Sequence, residues 1–332
     1  MKNNIYPENY NTLLNVQDTQ IAIKMIKDTF QRLLSEALGL ARVSAPLFVE
    51  KGSGYNDELS GKETPISFEI DENKKTLEIV QSLAKWKRYA LKKYQLNGLY
   101  TDMNAIRPHE DLDNMHSLYV DQWDWEKVIT KNERNLSYLK RTVSTIYQVF
   151  LKTYSKIVSK FPSLNQDLPD EITFISTQEL WEKYPNMSAK QRENAIAKEK
   201  KAVFLISIGS KLSNGEIHDT RASDYDDWDL NGDILLWYEP LQIAFELSSM
   251  GIRVDSSSLL KQVKIKNEEF KLQYDYHKAI LNNDLPLTIG GGIGQSRLCM
   301  FLLKKAHVGE VQASYWDQKD IDEFKKHNII LL

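Results

Sequence analysis

The 332 residues carry 42% apolar and 27% charged side chains and a net charge of −3, the make-up of a folded globular chain with ample core. That balance leaves no basic footprint for nucleic acid, and no apolar run marks a leader peptide or a membrane span. One cysteine, Cys299, excludes an internal disulfide and a cysteine metal cluster, and the six histidines show no metal-ligand spacing. The expected setting is the cytoplasm, with no membrane and no nucleic-acid partner.

Residues 1–20 read as a loosely ordered lead-in and residues 21–332 as a single domain. A helix is expected over 21–38, where Ile23, Ile26, Phe30, Leu33, Leu34 and Ala37 share one face and Gly39 follows as its cap. A strand over 40–49 contains Pro46, which belongs at an edge or interface because proline cannot donate to a ladder. Residues 65–80 read as a hairpin turned at Asp71-Glu-Asn-Lys, 82–94 as a helix, and 107–126 as two strands around a polar loop. A long amphipathic helix follows over 133–160, then a second hairpin over 205–221 turned at Ser213-Asn-Gly. An apolar strand over 234–237 leads into a helix-like segment running through Ala244 towards Asp255. The last part is a strand over 285–289, four glycines, and a helix from Leu298. Strands and helices do not alternate, so an α+β fold with an antiparallel sheet is favoured over a doubly wound one.

Gly290-Gly-Gly-Ile-Gly-Gln-Ser-Arg297 is the most informative stretch. Glycines let a flat ligand lie against the backbone, and an arginine just inside the next helix can stack on a base or fork onto phosphate. A P-loop is excluded because Gln295 stands where its lysine belongs, and a dinucleotide fingerprint is excluded because Arg297 stands where its last glycine belongs. A nucleotide site of a third kind remains.

Arg107, with Glu110 three residues on, stands at a strand end before a loop, a place suited to a phosphate or carboxylate. In Tyr119-Val-Asp-Gln-Trp-Asp-Trp-Glu126, Asp121, Trp123 and Trp125 share one face and Gln122, Asp124 and Glu126 the other. The second face carries only polar groups, as the wall of a solvated cleft would. Lys85, Lys87 and Arg88 crowd one helix, either as a solvated face or as cations for a ligand carboxylate. Asp224, Asp226, Asp227, Asp229 and Asp233 fall within ten residues. Asp233 and Glu246 border apolar runs, where an unpaired carboxylate is costly, and are the better candidates for Mg²⁺. No nucleophile stands out: Cys299 is a buried thiol in an apolar helix, and Ser248 and Ser249 have no evident histidine partner.

Together these pieces resemble a known family. Arg107 with Glu110, and the Gly290–Gly294 run with Arg297, resemble motifs 2 and 3 of class II aminoacyl-tRNA synthetases, and the helix, strand and proline over 21–46 resemble their motif 1. Ser82-Leu-Ala-Lys-Trp-Lys-Arg, Tyr119-Val-Asp-Gln-Trp-Asp-Trp-Glu, Phe245-Glu-Leu-Ser-Ser-Met-Gly-Ile-Arg-Val-Asp and Gly290-Gly-Gly-Ile-Gly-Gln-Ser-Arg are similar to the ammonia-dependent asparagine synthetases, from about residue 12 to the end. One departure is a shorter stretch between Asp-Tyr-Asp-Asp-Trp and Leu-Asn-Gly-Asp than some members carry. The resemblance implies a class II synthetase-like antiparallel sheet flanked by helices, a homodimer, and synthesis of L-asparagine from L-aspartate, ammonia and ATP through β-aspartyl-AMP. It implies Arg107, Arg297, Asp57 and Asp124 as catalytic residues. Lys87, Gln122, Ser82, Ser248, Ser249, Arg253, Gly292 and Gly294 would hold the amino acid. Arg107, Glu110, Asp226, Asp233, Glu246 and Arg297 would hold the nucleotide, with Mg²⁺ on Asp233 and Glu246. The alternative, an aspartyl-tRNA synthetase-like paralogue, would need an added anticodon-binding domain of about 100 residues, and only about 20 precede the first core helix.

Overall fold

The computed structural model describes residues 4–57, 64–72 and 74–332. The first helix, α1 (Val16–Leu38), starts earlier than its apolar face suggests. Asn15 caps it by accepting from the Asp18 amide at 2.8 Å, and Gly39 ends it in the left-handed conformation. The segment before it is tied down, in contrast to a loose lead-in: Tyr10 and Leu14 are buried, and the Tyr10 hydroxyl donates to Glu310 at 3.0 Å. Pro46 splits the expected strand over 40–49 into β1 (Ala41–Arg42) and β2 (Phe48–Glu50). The hairpin over 65–80 forms as β3 (Ser67–Glu69) and β4 (Thr76–Ile79), and β2 pairs with β4 to make a small sheet. Asn73, in the expected turn, lies outside the described residues.

The main scaffold follows. Helix α2 (Ala84–Tyr94) precedes β5 (Gly98–Ile106), so the first of the two strands expected within 107–126 ends just before Arg107; residues 107–118 form the loop, and β6 (Tyr119–Val128) returns. Helix α3 (Leu136–Lys160) is capped by Asn135. Strand β7 (Thr173–Ser176), α4 (Thr177–Lys183), α5 (Ala189–Lys200) and β8 (Ala202–Ile206) come next. Between 205 and 221 only one isolated bridge, Lys211 with Ile217, forms around the turn at Gly215, so the second hairpin is reduced to its tip. Strands β9 (Asp226–Tyr238) and β10 (Ile243–Arg253) form a long antiparallel pair. The helix-like reading of the segment through Ala244 is therefore wrong. A register shift between Glu246 and Ser248 interrupts the alternation of apolar and polar residues that would have marked a strand. Helices α6 (Ser256–Lys266) and α7 (Asp275–Leu281) lead to β11 (Thr288–Gly294), α8 (Gln295–Leu302) and α9 (Gln318–Lys326).

The eight-stranded sheet runs β1-β5-β6-β11-β10-β9-β8-β7, antiparallel except for its two edge pairs. Its centre is β6, β11 and β10. One face packs on α1, α3 and α8, with Phe30 stacked on Trp123 (centroids 5.0 Å apart) and Phe150 and Phe301 edge to face. The other face carries Gln122, Asp124 and Glu126 beside the glycines, and there the cleft opens.

Candidate active site

The glycine run lies within a strand rather than at a strand–helix junction. Gly290, Gly292 and Gly294 stand opposite Glu126, Asp124 and Gln122, and the side chains of β6 lean across them. A methyl group on Gly292 would come within 2.4 Å of Gln122 Oε1 and 2.8 Å of Asp124 Oδ1; on Gly290 it would meet the Glu126 carboxylate at 1.9 Å. These two glycines make room for the protein's own acidic side chains, which revises the idea of a bare shelf for a flat ligand.

Under that strand lies a buried charge network. Lys87 Nζ donates to the Gly291 carbonyl at 2.9 Å and lies 3.2 Å from Asp124. Arg253 reaches Glu126 at 2.7 Å and also pairs with Asp226. Lys87, Glu126 and Arg253 are at most 2% exposed. Burial works to raise the Glu126 carboxyl, but the charge and hydrogen bonds of Arg253, with Lys87 and Thr288, together hold Glu126 below the usual range. Burial lowers Lys87 against the pull of Asp124 and raises Asp226 against the pull of Arg253. Asp124 Oδ2 is buried with no hydrogen-bond partner among the described residues, an oxygen left for a donor from a ligand.

The outer end of the cleft is looser. Arg107 Nη2 donates to the Gln81 carbonyl at 3.3 Å and its other arm stands 3.6 Å from Glu110, while its Nε has no partner among the described residues. Arg297 Nη1 donates to the Glu246 carbonyl at 3.1 Å and lies 3.5 Å from that carboxylate; Nη2 meets His116 Nε2 at 2.8 Å. Asp233 pairs with Arg221. Burial and the nearby Glu246 push the Asp233 carboxyl upward. Burial would raise Glu246 too, but Arg297 and Arg221 hold it below the usual range.

One cavity of about 280 Å³ joins the two ends. It is lined by every residue to which the family resemblance gives a role except Asp233, which stands one strand away, paired in register with the cavity residue Ser249. The sequence reading missed His116, Ser296, Gln312 and Tyr225, and it placed Asp121 only on the far face of its strand. Asp121 accepts from Ser296 and from Lys27, and these links connect residues far apart in the chain, without local spacing. Four other expectations change. Lys85 pairs with buried Asp224 at 2.9 Å, Arg88 donates to the carbonyls of Pro286 and Val254, and Asp227 pairs with Arg134, so these are structural contacts and the helix bearing Lys85 and Arg88 is not a solvated face. Ser248 donates to the Gly292 carbonyl, a strand contact at the cavity wall. Cys299 is fully buried, which pushes its thiol up to about 12, as a plain core thiol requires. Asp57 lines the cavity, and residues 58–63, which follow it, lie outside the described residues.

An antiparallel sheet of this order flanked by helices is the fold of the class II aminoacyl-tRNA synthetase core. The chain superposes on asparaginyl-tRNA synthetase from Pyrococcus horikoshii complexed with asparaginyl-adenylate with a TM-score of 0.65 at 17% identity, covering 89% of this chain and 68% of that one. The aspartyl-tRNA synthetase from Entamoeba histolytica gives 0.62 at 16% identity, covering 91% and 59%. At such identities the likeness is one of fold. Sequence decides the branch: residues 17–328 match the aspartate–ammonia ligase family, and the chain belongs to it. It is 56% identical to the aspartate–ammonia ligase of Clostridium perfringens strain SM101 over 330 residues (98% of each chain) and 57% identical to that of Bacillus cytotoxicus over 325 residues (97% of this chain, 99% of that one).

Proposed function

We propose that this enzyme makes L-asparagine from L-aspartate, ammonia and ATP by way of β-aspartyl-AMP, releasing AMP and pyrophosphate. The observation that carries this reading is one cavity with two characters: an acid-and-base floor fitted to an amino acid and, beside it, two arginines whose ion pairs are long, fitted to phosphate. The substrate's ammonium group would meet Asp124, whose Oδ2 has no hydrogen-bond partner among the described residues, with Asp57 and Gln122 near it. Lys87, Ser249 and Arg253 would orient the carboxylates. Arg107 would bridge the α-phosphate and the attacking side-chain carboxylate, since its planar fork can bond two oxygens at once. Attack forms the acyl phosphate and expels pyrophosphate; ammonia then displaces AMP. No enzyme nucleophile is required, and positioning with electrostatic stabilisation supplies the rate.

Asp233 and Glu246, on neighbouring strands, fit Mg²⁺: Asp233 Oδ1 is buried with no partner among the described residues, and the two carboxylates repel each other. Among the described residues no cluster of three or more metal-binding side chains occurs, so phosphate oxygens and water would complete the shell. The ion would neutralise charge on the departing pyrophosphate. We further infer a homodimer through α1, whose Val16 and Ile21 are exposed. Light scattering should then report about twice 38.5 kDa. No helix among the described residues is long and apolar enough to cross a membrane, in keeping with a cytoplasmic site of action.

Incubation with aspartate, ATP, Mg²⁺ and ammonium should yield asparagine, AMP and pyrophosphate in equal amounts, with more product at mildly alkaline pH, where more ammonia is unprotonated. Added tRNA should change nothing. ADP in place of AMP, or aspartyl-tRNA as product, would overturn the reading.

A further inference from the structure

The loop between β5 and β6 carries a short chain of contacts that ends on Arg297. Asp113 Oδ1 accepts from the amides of Met115 and His116 at 2.7 and 2.9 Å and from His116 Nδ1 at 2.8 Å. His116 Nε2 faces Arg297 Nη2 at 2.8 Å. A guanidinium has no acceptor, so Nε2 must accept and therefore carries no proton. The carboxylate on the other side of the ring requires the proton on Nδ1. The two neighbours together admit one state of the ring: neutral, with the hydrogen on Nδ1. A protonated ring would set two N–H groups against each other.

The loop backbone is held by other means. Asn114 accepts from the Ile5 amide at 2.7 Å, donates to the carbonyls of Ile5 and Ala306, and its own carbonyl accepts from Val308. The His116 side chain is consequently not what keeps the loop in place; what it adds is a third fixed point for Arg297, after the Glu246 carbonyl and carboxylate. We propose that His116 is a positioning residue that aims Arg297 at the nucleotide, and that Asp113 sets the tautomer it needs. The proposal rests on the reading of Arg297 as a nucleotide contact.

The test is a set of variants compared by KM for ATP and kcat in asparagine formation. His116→Phe keeps a flat ring but loses the acceptor, and it should raise the ATP KM roughly tenfold or more with a smaller change in kcat, the size of one hydrogen bond to a charged group. His116→Gln places an amide oxygen near the position of Nε2 and should restore most of the loss. The double variant His116→Phe with Arg297→Ala should be no worse than Arg297→Ala alone, because the histidine acts through the arginine. A fully active Phe variant with an inactive Gln variant would mean that ring area matters and overturn the proposal, as would additive losses in the double variant. If Arg297→Ala alone leaves the ATP KM unchanged, the nucleotide reading of Arg297 fails at its own step. Nitrogen NMR of ¹⁵N-histidine-labelled protein should show His116 protonated at Nδ1 and bare at Nε2, and Asp113→Ala should abolish that preference. The opposite tautomer in the parent protein would also overturn the assignment.

Discussion

The floor of the cleft and its mouth use the same residue types in opposite ways. On the floor, Lys87, Arg253, Asp124, Asp226 and Glu126 are buried, and each is matched by an opposite charge within 3.2 Å or in direct contact. At the mouth, the ion pairs of Arg107 and Arg297 with Glu110 and Glu246 are longer, 3.6 and 3.5 Å, and about a fifth of each arginine side chain is exposed. A buried, mutually compensated network is costly to disturb and so presents one fixed shape. Arg107, whose Nε has no partner among the described residues, can turn to a ligand's phosphates at little cost, while Arg297 is held by Glu246 and His116 with its ion pair still long. The difference suggests that the amino-acid subsite is built before the substrate arrives, whereas the nucleotide subsite is completed by it.

The comparison predicts a large stability effect on the floor. Arg253→Leu leaves Glu126 and Asp226 buried without their partner, and urea denaturation should show a loss of about 3–5 kcal/mol. A loss under about 1 kcal/mol would mean that the floor carries no such network. At the mouth the burden should fall on catalysis. Arg107→Lys should keep the parent's stability while activity falls by roughly 30- to 1,000-fold, about 2–4 kcal/mol at the transition state, because an ammonium replaces a two-pronged fork by one point charge. Activity within a factor of about two of the parent would remove Arg107 from the reaction.

The glycines sharpen the contrast at smaller scale. Gly292→Ala sets a methyl group 2.4 Å from Gln122 Oε1 and 2.8 Å from Asp124 Oδ1, so the KM for aspartate should rise about tenfold, a displacement of about 1–2 kcal/mol. Gly294→Ala meets only the stem of Arg297, at 3.1 Å, and should shift the KM for ATP by a few-fold at most. Equal effects on both substrates would deny that the cleft has two ends.

Burial can also be tested away from the cleft. Burial depresses His307 from 6.5 to about 4, so between those values the unfolded chain binds a proton that the native state refuses. His307 therefore adds stability above pH 6.5 and loses it as pH falls towards 4. His307 Nδ1 accepts from the Gly309 amide, and an asparagine oxygen can take that place. His307→Asn should flatten the fall in stability between pH 6.5 and 4 by up to about one proton's slope. An unchanged slope across that window would mean that His307 is not buried neutral.

The place of Arg107 at a strand end, the place of Arg297 just inside a helix and the polar face of β6 were legible because each is a short-range pattern. Alternation along a strand assigns Gln122, Asp124 and Glu126 to one side without any knowledge of what lies opposite. The strand β10 was not legible, because a register shift between Glu246 and Ser248 breaks the period of two that separates strand from helix. His116 was missed for a different reason: its meaning lies in Arg297, on another element, and no spacing encodes that contact.

By itself, the sequence determined most of the helices, the cap at Gly39, and which residue types were available for chemistry, since these depend on neighbours a few positions apart. Tertiary structure alone decided which charges were matched and which were left for a ligand. Lys85 and Lys87 are two positions apart on one helix, yet the first is spent on buried Asp224 and the second reaches Asp124 in the cleft. Helix geometry turns their side chains to different sides, but only the packing of α2 against β6 and β11 determines what each side meets.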